Sequence, residues 1–221
     1  MWPNQWIDLK DFGKTEPLKR SVEKNEGEKI YSPFDPPEEP LAKESISYEN
    51  MHPLLQAFMD EHQEIRGRVQ KFEHALQELR KNGFTKEIQA AIRDFFECFD
   101  QKIIPHTKRE EKFLFLSLHK RLIEIGEHSP GESLQTGVTV LEEEHTSIIQ
   151  MGALIFNFFG LSSRLKDQEA RLQVLDLAIE KAQQLIEILR FHSLREDTVL
   201  FPLAQKHLKS HELTTLLEGL A

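Results

Sequence analysis

Two near-copies of one short pattern, 86 residues apart, hold the residues of this chain that could do chemistry. The first is Pro105-His106-Thr107-Lys108-Arg109-Glu110-Glu111, running into Leu114-Phe115. The second is Phe191-His192-Ser193-Leu194-Arg195-Glu196-Asp197, running into Leu200-Phe201. Each sets a histidine and a glutamate four residues apart, so on a helix both project from one face, one turn apart. Upstream of each stands a matching lone histidine, in Glu61-His62 and in Glu144-His145. Four imidazoles and two carboxylates from a duplicated unit form the donor set of a metal site. Imidazole with carboxylate suits iron, zinc or manganese, and the lack of a thiolate cluster disfavours zinc-finger and iron–sulfur chemistry. Two carboxylates among four imidazoles can bridge a pair of ions with two histidines ending each, and two irons is the preferred count.

The elements that must position these groups are helices. Leu55, Phe58, His62, Ile65, Val69, Phe72, Leu76 and Leu79 recur at three- and four-residue steps, and Asn82-Gly83 stops that helix. Ile88, Ile92, Phe95, Phe99, Ile103, His106, Glu110, Phe113 and Ser117 form a second stripe, ending near Gly126 to Gly131. A third runs through Val138, Leu141, His145, Ile148, Gly152, Ile155 and Phe159. Leu175, Ala178, Ala182, Leu185, Leu189, His192, Glu196, Val199 and Leu203 make the fourth, and a short amphipathic piece follows near residues 212–220. Four long helices with short connections predict an all-α fold, an antiparallel up-down four-helix bundle over residues 50–221 with a short C-terminal helix. Pro105 removes a helix hydrogen bond beside His106 and is expected to kink the helix there.

All six candidate ligands fall on the apolar stripes. A buried ionised carboxylate is costly unless it is paired or bound to a metal, and two at equivalent core positions call for a common cause. Depth agrees. His62 lies 20 residues before the Asn82-Gly83 turn and His106 about 22 after it, so a hairpin brings them level, roughly 30 Å from the turn. His145 and His192 are placed alike about a connection near residues 165–168. Glu111, Asp197, Glu61 and Glu144, each adjacent to a candidate ligand, are positioned to be solvated or to orient a metal-bound histidine. His74 lies off its stripe and reads as a surface residue, and Cys98 as a small buried hydrophobe.

Composition narrows the partners. The net charge is −9, with basic residues spread along the helices, so nucleic acid is an unexpected partner. No apolar run approaches the roughly 20 residues that span a bilayer, and Met1-Trp2-Pro3-Asn4-Gln5 lacks the pattern of a signal peptide. A cytoplasmic location without intrachain disulfides is expected of this chain and its one cysteine. Residues 1–49 hold six of the ten prolines together with Trp2, Trp6, Tyr31 and Tyr48. They read as an extended N-terminal arm whose aromatics could strap the bundle or dock a protein partner.

The ordered set Glu61-His62, His106-x-x-x-Glu110-Glu111, Glu144-His145 and His192-x-x-x-Glu196, with Leu200-Phe201-Pro202 after it, resembles the hemerythrin-like, or HHE cation-binding, family. The resemblance covers about residues 50–207 and not the arm. It implies two non-haem iron ions bridged by Glu110 and Glu196, with an oxo or hydroxo group between them and His62, His106, His145 and His192 as terminal ligands. Oxygen-carrying hemerythrins have a fifth histidine one turn after the lone histidine of the third helix, and here that position is Ile149. Iron-centre repair proteins of the family carry an N-terminal cysteine pair, which this chain lacks. The expected function is therefore binding of, or reaction with, dioxygen, nitric oxide or peroxide, in gas or redox sensing or in iron handling. The alternative is an interaction protein whose metal staples the bundle while the arm docks a partner. An enzyme with a larger organic substrate ranks third, because no residues argue for its pocket.

Overall fold

A computed structural model of the chain describes residues 46–130 and 134–219. The N-terminal arm, apart from its last few residues, lies outside them. The described residues are helical between short connections: α1 (Pro53–Asn82), α2 (Lys86–Cys98), α3 (Ile104–Arg109), α4 (Leu116–Glu124), α5 (Gly137–Ser162), α6 (Gln168–Arg195), α7 (Phe201–His207) and α8 (Ser210–Glu218). A 3-10 turn at Tyr48–Asn50 precedes them.

The boundaries follow local chemistry. Thr85 caps α2 by accepting from the Ile88 amide, and Asp167 caps α6 by accepting from that of Ala170. Gly83 (φ 69°) and Gly126 (φ 82°) take the left-handed backbone that ends α1 and the α4 segment. The expected C-terminal helix begins at Ser210, two residues earlier than its apolar pattern.

Three π turns join the segments: Phe99–Ile103 between α2 and α3, Glu110–Phe115 between α3 and α4, and Glu196–Leu200 between α6 and α7. Backbone angles at their ends stay right-handed helical, so residues 86–124 form one helical run and residues 168–207 another. The first and third π turns each end two residues before a proline, Pro105 and Pro202. A proline lacks the N–H that a plain helix needs and crowds the carbonyl four residues back, and the wider turn relieves both. The disturbance expected at Pro105 thus takes the form of a π turn.

Beyond each glutamate the expected stripes continued at Phe113 and Ser117 and at Val199 and Leu203, and all four are only partly buried. The buried residues are Leu114, Phe115 and Leu118, and Leu200, Phe201 and Ala204. A π turn adds one residue to a turn, which shifts every later residue by one position.

The main packing is α5 against α6 and α1 against α2, with α1 also on α6 and α4 on α5. The core runs from Leu76, Ile88 and Phe95 through Ile103, Ile148 and Ile155 to Ala182 and Leu189. Phe99 packs where α5 has Gly152, and a Cβ there would collide with its ring. Among the described residues, no helix is long and apolar enough to cross a membrane.

Candidate metal centre

The six sequence-predicted residues meet in the core, each at most 4% exposed: His62 from α1, His106 from α3, Glu110 opening the second π turn, His145 from α5, His192 from α6, and Glu196 opening the third. Their inward atoms fall in two overlapping groups. One comprises His62, His106, Glu110 and Glu196, the other His145, His192, Glu110 and Glu196. The two glutamates are common to both.

The outward nitrogen of each imidazole is tied to a carboxylate. Nδ1–H of His62 donates to Asp197 (2.7 Å), of His106 to Glu61 (2.6 Å), of His145 to Glu111 (2.9 Å) and of His192 to Glu144 (2.9 Å). Three of these carboxylates are held in turn by arginines: Asp197 by Arg66 (2.8 Å), Glu61 by Arg109 (2.5 Å) and Glu144 by Arg195 (2.5 Å). Carboxylates in this role fix the tautomer and ring direction of metal-bound histidine. Because Nδ1 carries the proton, Nε2 of each neutral ring presents a lone pair inward.

Inside, those lone pairs crowd. His62 and His106 Nε2 are 2.9 Å apart, as are His145 and His192 Nε2. The four oxygens of Glu110 and Glu196 are buried without a hydrogen-bond partner. The imidazole nitrogens stand 3.1–3.9 Å from them, charge contacts without hydrogen-bond alignment. Lone pairs face lone pairs and carboxylates, and a cation in each group answers all of them. The donor set fits a pair of cations.

Without metal, protons play the cation. Burial would lower the imidazole pKa values, but facing carboxylates outweigh it. His62 is raised to about 10 by Asp197 and Glu196, His145 to about 10 by Glu110 and Glu196, and His106 to about 8 by Glu110 and Glu61. Burial pushes Glu196 upward, yet His192, His145 and His62 hold it well below the usual carboxylate range.

The π turns shape the site as well as the helices. In the second, Glu110 faces Nε2 of His145 (3.5 Å), Glu111 accepts from its Nδ1, and Phe115 stacks on its ring (5.3 Å between centroids, 10° between planes). At the third, Glu196 faces Nε2 of His62 (3.1 Å), Asp197 accepts from its Nδ1, and Phe201, the first residue after the turn, stacks on it (5.7 Å, 12°). Each of these two π turns, with the residue that follows the third, thus surrounds one histidine on three sides.

The family model of the hemerythrin HHE cation binding domain matches residues 54–204. The chain belongs to this family. Searches of curated proteins and of solved structures find no match. The matched span contains all six candidate ligands, their four outer carboxylates and the three arginines. The hemerythrin family implies metal binding, and the two His/Glu groups fit a metal site.

Position 149, one turn beyond His145, is a partly buried isoleucine and adds no donor. His74 is exposed, as its register predicts, and Cys98 is buried. The arginines and the two stacked phenylalanines are functional neighbours that periodicity alone does not mark. The repeat does mark four of these five: His106-x-x-Arg109 matches His192-x-x-Arg195, and Phe115 matches Phe201.

Proposed function

We propose that this domain holds two non-haem irons, one at His62 and His106 and the other at His145 and His192, with Glu110 and Glu196 shared between them, and that the centre binds or reacts with dioxygen, nitric oxide or peroxide. The observation that carries this reading is the set of four buried, unpartnered glutamate oxygens facing four imidazole lone pairs. Two histidines and two shared carboxylates for each ion are a nitrogen and oxygen donor set suited to non-haem iron.

When bound, the irons supply open coordination positions to a small ligand. The protein's own part is to hold four imidazoles in one tautomer through Glu61, Glu111, Glu144 and Asp197, and to pack Phe58, Phe201 and Phe115 against the rings of His106, His62 and His145. Such a lining admits small apolar molecules and keeps bulk water out. The same reading takes residues 50–221 as an antiparallel up-down four-helix bundle and residues 1–49 as a separate arm through which a protein partner could be reached.

Anaerobic iron quantification with oxygen and nitric oxide titration tests the proposal. About two irons per chain and a visible spectrum altered by either gas are expected for two His/Glu sites. A protein purified without metal, with a spectrum unchanged by iron and gas, would sink it.

A further inference from the structure

The two metal positions are alike in their inner donors and unlike in what stands behind them. Behind three of the four histidines the outer carboxylate is pinned by an arginine. Behind His145 it is Glu111, 40% exposed, with no lysine or arginine within ion-pair distance among the described residues. Asp197 and Glu144 are 13% and 19% exposed, and Glu61, although 38% exposed, is held by Arg109.

The repeat locates the missing cation. Asp197 and Glu111 are equivalent, as are His62 and His145. Arg66, which holds Asp197, stands one turn after His62, and the residue one turn after His145 is Ile149. The corner also carries a second carboxylate, Glu142, one turn before His145 and close enough to Glu111 for the two charges to repel. An approaching hydrated cation meets two carboxylates here, and an arginine at each other corner.

We propose that metal exchanges at this corner first: the ion held by His145 and His192 enters and leaves faster than the ion held by His62 and His106, with Glu111 and Ile149 setting the difference. The inference rests on the paired-metal reading above. Glu111 acts as a positioning residue through His145. A carboxylate that must hold an imidazole without a second tether competes with water for its own rotamers, so His145 is the ligand freest to turn away.

Release kinetics test it on the full chain. Metal-free protein is loaded anaerobically with Co2+, mixed with excess chelator, and followed by visible absorption. The expected record has two phases of equal amplitude, separated by at least about tenfold, the lower end of the effect of outer carboxylates on metal affinity. Glu111→Gln should speed the fast phase and leave the slow one alone. Ile149→Arg should slow the fast phase toward the slow one. Arg66→Ala, which loosens the Asp197 corner, should speed the slow phase, and it keeps the test valid where Ile149→Arg does not fold. Two cobalt ions leaving in one phase, or a Glu111→Gln protein in which the slow phase alone accelerates, overturn the inference and leave the paired site standing. A protein that takes up no cobalt overturns both.

Discussion

Deleting Lys112 should leave the metal-free fold nearly as stable while weakening its hold on metal. Lys112 is an exposed residue inside the π turn Glu110–Phe115. At about 100° per residue, a plain helix would put Phe115 about 140° away from Glu110, on the far face. The extra residue of the π turn brings it back over His145. With Lys112 removed, Leu114 and Phe115 fall three and four residues after Glu110, the spacing a plain helix buries, so the core survives. One backbone hydrogen bond of the plain ladder is regained, about 1 kcal/mol net. The ammonium that rests 4.7 Å from the Phe113 ring is lost, about 0.5 kcal/mol at an exposed site. The Glu111–His145 hydrogen bond is lost as well, about 1 kcal/mol, so the balance is about 0.5 kcal/mol against the deletion, a fall of about 1–2 °C in the Tm of metal-free protein for a chain of this size.

Metal binding should fall much further. The wide turn lets two consecutive residues, Glu110 and Glu111, reach opposite nitrogens of one imidazole (3.5 Å to Nε2, 2.9 Å to Nδ1). Closing it to a plain helix swings Glu111 off His145. Loss of an outer carboxylate weakens metal affinity by about 10–100-fold, or about 1.4–2.8 kcal/mol. Calorimetric melting of metal-free protein together with competitive metal titration measures both quantities. The reasoning fails if affinity is unchanged, or if the metal-free protein melts several degrees lower, since the first denies the socket and the second denies the register.

Glu110→Ala and Glu196→Ala should each abolish binding of the metal pair while His74→Ala, an exposed change, leaves metal content as in the parent; elemental analysis of purified protein decides. The metal-free protein should lose stability from about pH 7 to 10. His62 and His145 are raised from an ordinary 6.5 to about 10 and His106 to about 8, so their stabilisation is complete below about pH 6.5 and disappears as pH rises through those values. A metal-free Tm that stays level across that range contradicts the assignment; metal-loaded protein, whose imidazoles hold no Nε2 proton, should not share the loss. Gly152→Ala should lower stability by about 1–3 kcal/mol, because its Cβ meets the Phe99 ring. Gly67→Ala, within α1 and with nothing near its Cβ, should raise stability by about 0.8–1 kcal/mol. Denaturant melts of the two would show opposite signs, and equal signs would refute the packing argument.

The first and third helices were legible in full, because every residue of their apolar stripes keeps plain helical spacing and is buried. The second and fourth were legible only as far as Glu110 and Glu196. Hydrophobic spacing reports three- and four-residue steps, and Phe113 and Val199 satisfied it, so nothing in the pattern announced an i→i+5 turn. The six inner donors stood out for a different reason: polar residues on apolar stripes, repeated. Their outer carboxylates were visible only as neighbours, since which acid reaches which imidazole depends on the turn geometry. Arg66 carried no such marker. An exposed arginine on a charged helix looks like any other until its partner across the bundle, 131 residues away, is known.

That partner exposes how the two copies depend on one another. The first copy supplies His62, His106, Glu110, Glu111 and Phe115, and the second His145, His192, Glu196, Asp197 and Phe201. Each copy braces its own second histidine, through Glu61 and His106 in one and Glu144 and His192 in the other. Neither braces its own first. The socket of His62 is built by the π turn of the second copy, and that of His145 by the π turn of the first. A lone copy would bury a glutamate with only its second histidine fixed opposite it, and leave its first histidine free to choose either tautomer. The duplication therefore does more than double the ligands: assembly of the two copies is the step that orients half of them, and metal affinity and the packing of the two copies must rise or fall together.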